Sequence, residues 1–243
     1  VNSFGLHYVE ASADNEIDPL YSTDIYRQSW LHDAKAASDM YGVRVQNLYS
    51  GHGTYSTLGL AHGDPSVRRH IRDNWIKAMI RFAAELGSGL GFYTHAFSES
   101  ILENPVFYEE AFGQLVEDMQ DLSAYAASLH IPYLSVEQMY SPHQVPWTID
   151  GTLEFLKQAN RARNESAVYI TLDTGHQSGQ MRFVHPSEDE IRHFVSAAGK
   201  GSNYPIHMGT RRHYYQFWEE ANKGASAKEI VDAFEIHAKK YPY

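Results

Sequence analysis

The chain has no cysteine. That excludes disulfides and thiolate metal sites, and it leaves histidine and carboxylate as the strong metal ligands available. It fits a reducing compartment, and a cytoplasmic location is expected. No apolar run approaches the roughly 20 residues that a membrane span needs, so no membrane association is expected. The first residues lack the basic-then-apolar pattern of a secretory leader. Basic residues are in deficit: 20 Lys and Arg stand against 30 Asp and Glu, a formal charge of −10. Such a surplus repels phosphate backbones at long range and argues against nucleic acid as a partner. Linkers, low-complexity tracts and shifts in composition are also absent, so residues 1–243 read as a single domain.

What is present is a globular composition, 43% apolar and 21% charged, with 14 histidines. One theme repeats along the chain: a short strand-like run, a polar loop, then a long amphipathic helix. That alternation predicts a parallel sheet covered by helices. The strands are expected at Leu6–Val9, Val43–Tyr49, Gly89–Phe97, Ile131–Val136, Val168–Leu172 and Tyr204–Met208. Between them, a helix is expected over Thr23–Tyr41, stopped by Gly42, with Ile25, Trp30, Ala34, Ala37 and Met40 on its buried stripe. Asp64-Pro65 and Asn104-Pro105 each combine a capping side chain with a first-turn proline. The first opens a helix with a stripe of Val67, Ile71, Trp75, Met79, Phe82 and Leu86; the second opens one running to about Leu129. Further helices are expected over Thr148–Asn160, after a capping box at Ser187 and Glu190, and over Arg212–Asn222 and Ala225–Lys239.

The architecture this suggests is a (β/α)8 barrel, with an open doubly wound sheet as the alternative. A barrel places its chemistry at the carboxyl ends of its strands. Reading those ends in turn gives Glu10, His52, His95, Glu137, Asp173 and His207. A potential ligand or acid–base group at each consecutive end points to one convergent site. Glu137 and Asp173 form the sharpest pair, because each follows an apolar strand and the two strands are neighbours. Carboxylates that close repel unless a proton or cation lies between them, and a divalent metal is the simplest resolution.

Residues Tyr133–Trp147 read YLSVEQMYSPHQVPW, and Leu172–His176 read LDTGH. A Glu closing one strand and an Asp-x-x-His closing the next resemble the fifth and sixth strands of the xylose isomerase-like sugar and sugar-phosphate isomerases and epimerases. Gly5–Glu10, GLHYVE, is similar to that family's second-strand segment. The resemblance runs from about Gly5 to His185. It implies a metal shell of Glu, Asp, His and Glu, in which Glu137 and Asp173 match the first two and His207 the third. No residue matches the last Glu; Glu229 and Glu235 lie in a helical pattern.

What the resemblance implies is proton transfer next to a carbonyl, through an enediolate, on a small sugar or sugar phosphate. Glu137 is then both ligand and acid–base group, and His176 steers substrate oxygens or relays a proton. Glu10 binds a distant hydroxyl, and His52, His95 and His143 are substrate-pocket candidates. Mn²⁺, Mg²⁺, Co²⁺ and Zn²⁺ all suit mixed oxygen and nitrogen ligands. Arg68 and Arg69 could hold a phosphate, although a solvated helix face explains them as well. A homo-oligomer stays open. Two alternatives use the same fold: a zinc AP endonuclease like endonuclease IV, and a barrel that binds sugar or metal without turnover. The strand count of about six against eight predicts a barrel incomplete at one or both ends, with chain continuing before Val1 and beyond Tyr243.

Overall fold

The computed structural model describes residues 3, 5–162, 166–173, 175–176, 183, 187 and 189, with 206–207 as a strand. Six parallel strands run in sequence order: β1 (Tyr8–Ser12), β2 (Arg44–Ser50), β3 (Gly89–Phe92), β4 (Leu134–Gln138), β5 (Val168–Asp173) and β6 (Ile206–His207). Consecutive strands pair with their sequence neighbours, as a (β/α) barrel requires and a doubly wound sheet does not. Among the described residues nothing pairs with the outer edge of β1 or of β6.

Helices follow the strands: α1 (Ala13–Glu16) and α2 (Asp24–Tyr41) after β1, and α3 (His52–Thr57), α4 (Pro65–His70) and α5 (Lys77–Leu86) after β2. After β3 come α6 (Glu99–Leu102) and α7 (Pro105–Ser128), and after β4 comes α8 (Ile149–Ala159). The local signals act where expected. Thr23, Asp64, Asn104 and Thr148 accept backbone N–H groups at their helix starts, and Pro65 and Pro105 sit in the first turn. Gly42 and Gly87 end α2 and α5 in the left-handed region, at φ 63° and 67°. A π-helical stretch, Ile71–Ile76, joins α4 to α5, and Trp75 and Ile76 are both buried in it.

The core lies between the sheet and these helices. Leu48, Leu90, Phe92, Leu134, Val136, Val168, Ile170 and Leu172 project outward from the strands, beneath Trp75 of the π-helical stretch, Met79 and Ile80 of α5, Leu115 and Met119 of α7 and Phe155 of α8. Each large apolar side chain buried in this way contributes about 1.5–3 kcal/mol. The complementary set on the strands faces the barrel axis and is polar: Glu10, Asn47, Tyr49, Ser135, Glu137, Thr171 and Asp173. Hydrogen bonds join them strand to strand, from Asn47 Nδ2 to Glu10 Oε2 (2.6 Å) and from Thr171 Oγ1 to Ser135 Oγ (2.9 Å).

Several features differ from expectation. β3 ends at Phe92, so His95 falls in the following loop, where it forms an isolated antiparallel bridge with Gly59. β1 begins and ends later than expected, which leaves Glu10 in mid-strand. The stripe of α2 is also partly rotated: Trp30 packs against the core and Ala34 is half-buried, as expected, but the ends of the stripe are not. Ile25 and Met40 are 86% and 73% exposed, and Arg27 and Leu31 are the buried positions. Arg27 explains the shift: its guanidinium bonds Asp24 and the Ser22 carbonyl and lies over the Phe82 ring, burying a cation's aliphatic stem where an apolar side chain was expected. Glu190 of the expected capping box and the helices expected over 212–222 and 225–239 lie outside the described residues.

Candidate metal centre

β4 and β5 bring the pair together. Glu137 pairs in register with Thr171, and two residues further along the same face comes Asp173. The Asp173 carboxylate accepts the Gly175 N–H at 2.7 Å, and this tight turn carries His176 back over the strand ends. His176 Nε2 is 3.3 Å from Asp173 Oδ2, and its Nδ1 is 3.7 Å from Glu137 Oε1. Ligand atoms of Glu137, Asp173 and His176 all lie within 4.8 Å of one another.

The protonation of His176 follows from its partners. Nδ1 is 2.8 Å from the Gln138 carbonyl, which can only accept, so Nδ1 carries hydrogen. In the neutral ring Nε2 then presents a lone pair to the Asp173 carboxylate. A cation between them would relieve that juxtaposition of lone pair and negative charge. Two carboxylates and an imidazole lone pair are a donor set suited to a divalent metal.

Tyrosines wall the site. Tyr49, near the end of β2, donates its hydroxyl to Glu137 Oε2. The Tyr140 ring lies 5.0 Å from the His176 ring. Burial first, then the charges of Tyr140, Asp14 and Asp173, pushes the Tyr55 phenol above its ordinary value. Tyr93 packs 4.9 Å from Tyr55 and is raised mainly by its own burial. Asp14 holds the floor of the next loop, accepting Ser50 Oγ at 2.6 Å and Gly51 N at 2.9 Å.

The other expected site residues are spread more widely. Glu10 faces the axis but is bonded to Asn47, level with the beginning of β3. His207 pairs in register with Asp173; its side chain and that of His52 lie outside the described part. His95 lines no open pocket. It is fully buried, with Nδ1 2.8 Å from Thr94 Oγ1 and its ring 4.4 Å from that of Phe97. His143 ties two loops together, its Nδ1 2.9 Å from the Phe97 carbonyl and its own carbonyl 2.6 Å from Phe97 N. Arg68 spends Nη1 on the carbonyls of His62 (2.6 Å) and Gly63 (3.3 Å). Sequence reasoning missed Tyr49, Tyr55, Tyr140 and Asp14. A tyrosine near a strand end reads as packing, and an acid in a polar loop reads as solvated. The usable signal was indirect: the glycines of β3, which leave room for a neighbour to cross.

A family profile for the xylose isomerase-like TIM barrel matches residues 1–209, and the chain belongs to that family. No curated protein matches it. Among solved structures, a Rhodospirillum rubrum protein put forward as a xylose isomerase is similar, with 20% identity and a TM-score of 0.69 over 80% of this chain and 64% of its own. A D-psicose 3-epimerase determined with D-fructose shows 22% identity and a TM-score of 0.58 over 80% and 61%. A D-allulose 3-epimerase from Methylomonas sp. shows 22% identity and a TM-score of 0.57 over 83% and 62%. The chain thus spans less than two thirds of each of these three. Among the described residues, no helix is long and apolar enough to cross a membrane.

Proposed function

We propose that the protein is a metal-dependent sugar or sugar-phosphate isomerase or epimerase, acting by proton transfer next to a carbonyl. The convergence of Glu137, Asp173 and His176 carries this reading. It is supported by membership of the family and by two neighbours whose names describe ketose 3-epimerases.

Glu137, Asp173 and His207 are the proposed ligands, and His176 Nε2 faces the same centre. A divalent cation bound there would offset the negative charge of an enediolate. The Glu137 carboxylate takes the proton from the carbon beside the substrate carbonyl, and the C–H electron pair moves into the enediolate. Return of a proton to the opposite face of that carbon gives the epimer; return to the neighbouring carbon gives the isomer. His176 steers the substrate oxygens, with Nδ1 fixed by the Gln138 carbonyl so that Nε2 always faces the site. Tyr140, whose ring lies 5.0 Å from that of His176, is placed to offer an apolar surface to the C–H groups of a sugar. Small ketoses, ketose phosphates and related carbonyl polyols are the substrates proposed.

Asp173→Asn keeps the shape of the side chain and removes its charge. Elemental analysis of purified wild-type and variant protein should show most of the bound metal lost from the variant. Equal stoichiometry in the two would refute Asp173 as a ligand. A coupled ketose–aldose screen of the metal-loaded protein tests the reaction, and tight binding of abasic duplex DNA at physiological salt would overturn the substrate class.

A further inference from the structure

The inward face of β3 carries no side chain at two successive levels. Gly89 and Gly91 both lie on the axial face, flanked by Asn47 and Tyr49 on β2, by Tyr133 just before β4 and by Ser135 on β4. Side chains from the two neighbours use this gap to reach across the strand in opposite directions. Tyr133 of the β4 side crosses over Gly89, and its hydroxyl donates to the Gln46 carbonyl on β2 at 3.3 Å. One level higher, Tyr49 of β2 crosses over Gly91, and its hydroxyl donates to Glu137 Oε2 on β4. A Cβ at residue 91 would stand 2.9 Å from Ser135 Oγ, 3.0 Å from Asn47 Nδ2 and 3.1 Å from Tyr49 Cδ2, so even alanine there crowds the Tyr49 ring and forces these side chains to shift.

From this geometry we infer that Tyr49 is a positioning residue for the metal centre. Its hydroxyl anchors Oε2 of Glu137 and so turns Oε1 toward His176, where the Nδ1 separation is 3.7 Å. The inference rests on the metal-centre reading above. A carboxylate left to rotate about its last torsion presents either oxygen, or both, to a cation. With Oε2 held by Tyr49, Oε1 is the oxygen that would be offered to a cation at the proposed centre. Gly91 is part of the device because it supplies the space that the Tyr49 ring needs. Partners of this kind orient a ligand without touching the metal, and their loss typically weakens metal binding about 10- to 100-fold.

The test uses Co²⁺ as the probe, because the intensity and position of its visible bands report coordination number and ligand arrangement. Wild type, Tyr49→Phe and Gly91→Ala are titrated with Co²⁺, and visible spectra and affinity are recorded. Far-ultraviolet circular dichroism and urea midpoints show whether each variant is folded. Tyr49→Phe keeps the ring and removes only the hydroxyl. It should bind Co²⁺ about 10- to 100-fold more weakly, with altered visible bands, while remaining folded. Gly91→Ala, which retains every polar group, should shift the spectrum in the same direction. A Tyr49→Phe protein with a lowered urea midpoint but wild-type Co²⁺ affinity and spectrum would show Tyr49 to be structural and overturn the inference alone. Wild-type protein that takes up no Co²⁺ would refute the metal-centre reading and the inference with it.

Discussion

The buried imidazole of His95 makes stability depend on pH in a direction and window that can be worked out beforehand. The ring has no exposed surface, and its Nε2 has no hydrogen-bond partner among the described residues. Among the described residues no acid is placed to compensate a charge there, and burial pushes the pKa down from 6.5 to about 3. The unfolded chain takes up a proton at this histidine as pH falls below about 6.5, whereas the folded chain does not until pH about 3. Above 6.5 the group is neutral in both states and has no effect. Between the two values each step down in pH favours the unfolded state. The full loss is about 5 kcal/mol, of which about 2 kcal/mol has accumulated by pH 5. Urea unfolding of wild type and His95→Gln at pH 7.5 and pH 5.0 isolates this contribution, because every other titrating group is common to both proteins. Wild type should lose about 2 kcal/mol more than the variant over that interval, provided both unfold in a two-state manner. Equal acid-side losses would show that His95 is protonated in the folded protein, or that the ring is not desolvated as its burial indicates.

Other perturbations test the packing that positions the site. Gly89→Ala would place a Cβ inside van der Waals contact of the Tyr133 ring, forcing that ring to give up the Gln46 carbonyl; a fall of about 1–3 kcal/mol or more in urea-derived stability is expected. Asn104→Ala removes the acceptor for Val106 N (3.0 Å) and Phe107 N (3.4 Å) at the start of α7 and should cost about 1 kcal/mol by the same measurement, with no change in metal content. Leu31→Ala should cost about 2–5 kcal/mol and Ile25→Ala less than about 0.5 kcal/mol, a contrast that reverses if the face of α2 is assigned wrongly.

The parts of this fold that were legible in the sequence are those with a local cause. A capping side chain followed by proline marks the same helix start wherever it occurs, and Asp64-Pro65 and Asn104-Pro105 behave accordingly. Alternating side chains along β4 and β5 place Glu137 and Asp173 on one face as soon as the strands are recognised. What the sequence did not disclose depends on tertiary contacts. The stripe of α2 was misread because a buried arginine and an exposed isoleucine violate the simple pattern, and only the packing of Arg27 on Phe82 settles which side is inside. His95 looked like a strand-end ligand because nothing local stops β3 at Phe92. The loop leaves the sheet there to pair with Gly59, a residue 36 positions earlier in the chain.

The centre itself divides in the same way. Its charged groups are written in two short motifs, yet their orientation is not. Asp173 and His176 are three residues apart, and the turn made by Gly175 N on the Asp173 carboxylate is enough to bring them together. Glu137 is held differently, by a tyrosine 88 positions away on a strand that is not its neighbour. Glycine at the inner face of the intervening strand leaves room for that contact, although glycine in a strand is otherwise a local weakness. The two glycines of β3 therefore give up strand stability so that residues on β2 and β4 can meet. A substitution at Gly91 that touches no proposed ligand should disturb the proposed metal centre in the same direction as loss of the Tyr49 hydroxyl, because both act on the same carboxylate.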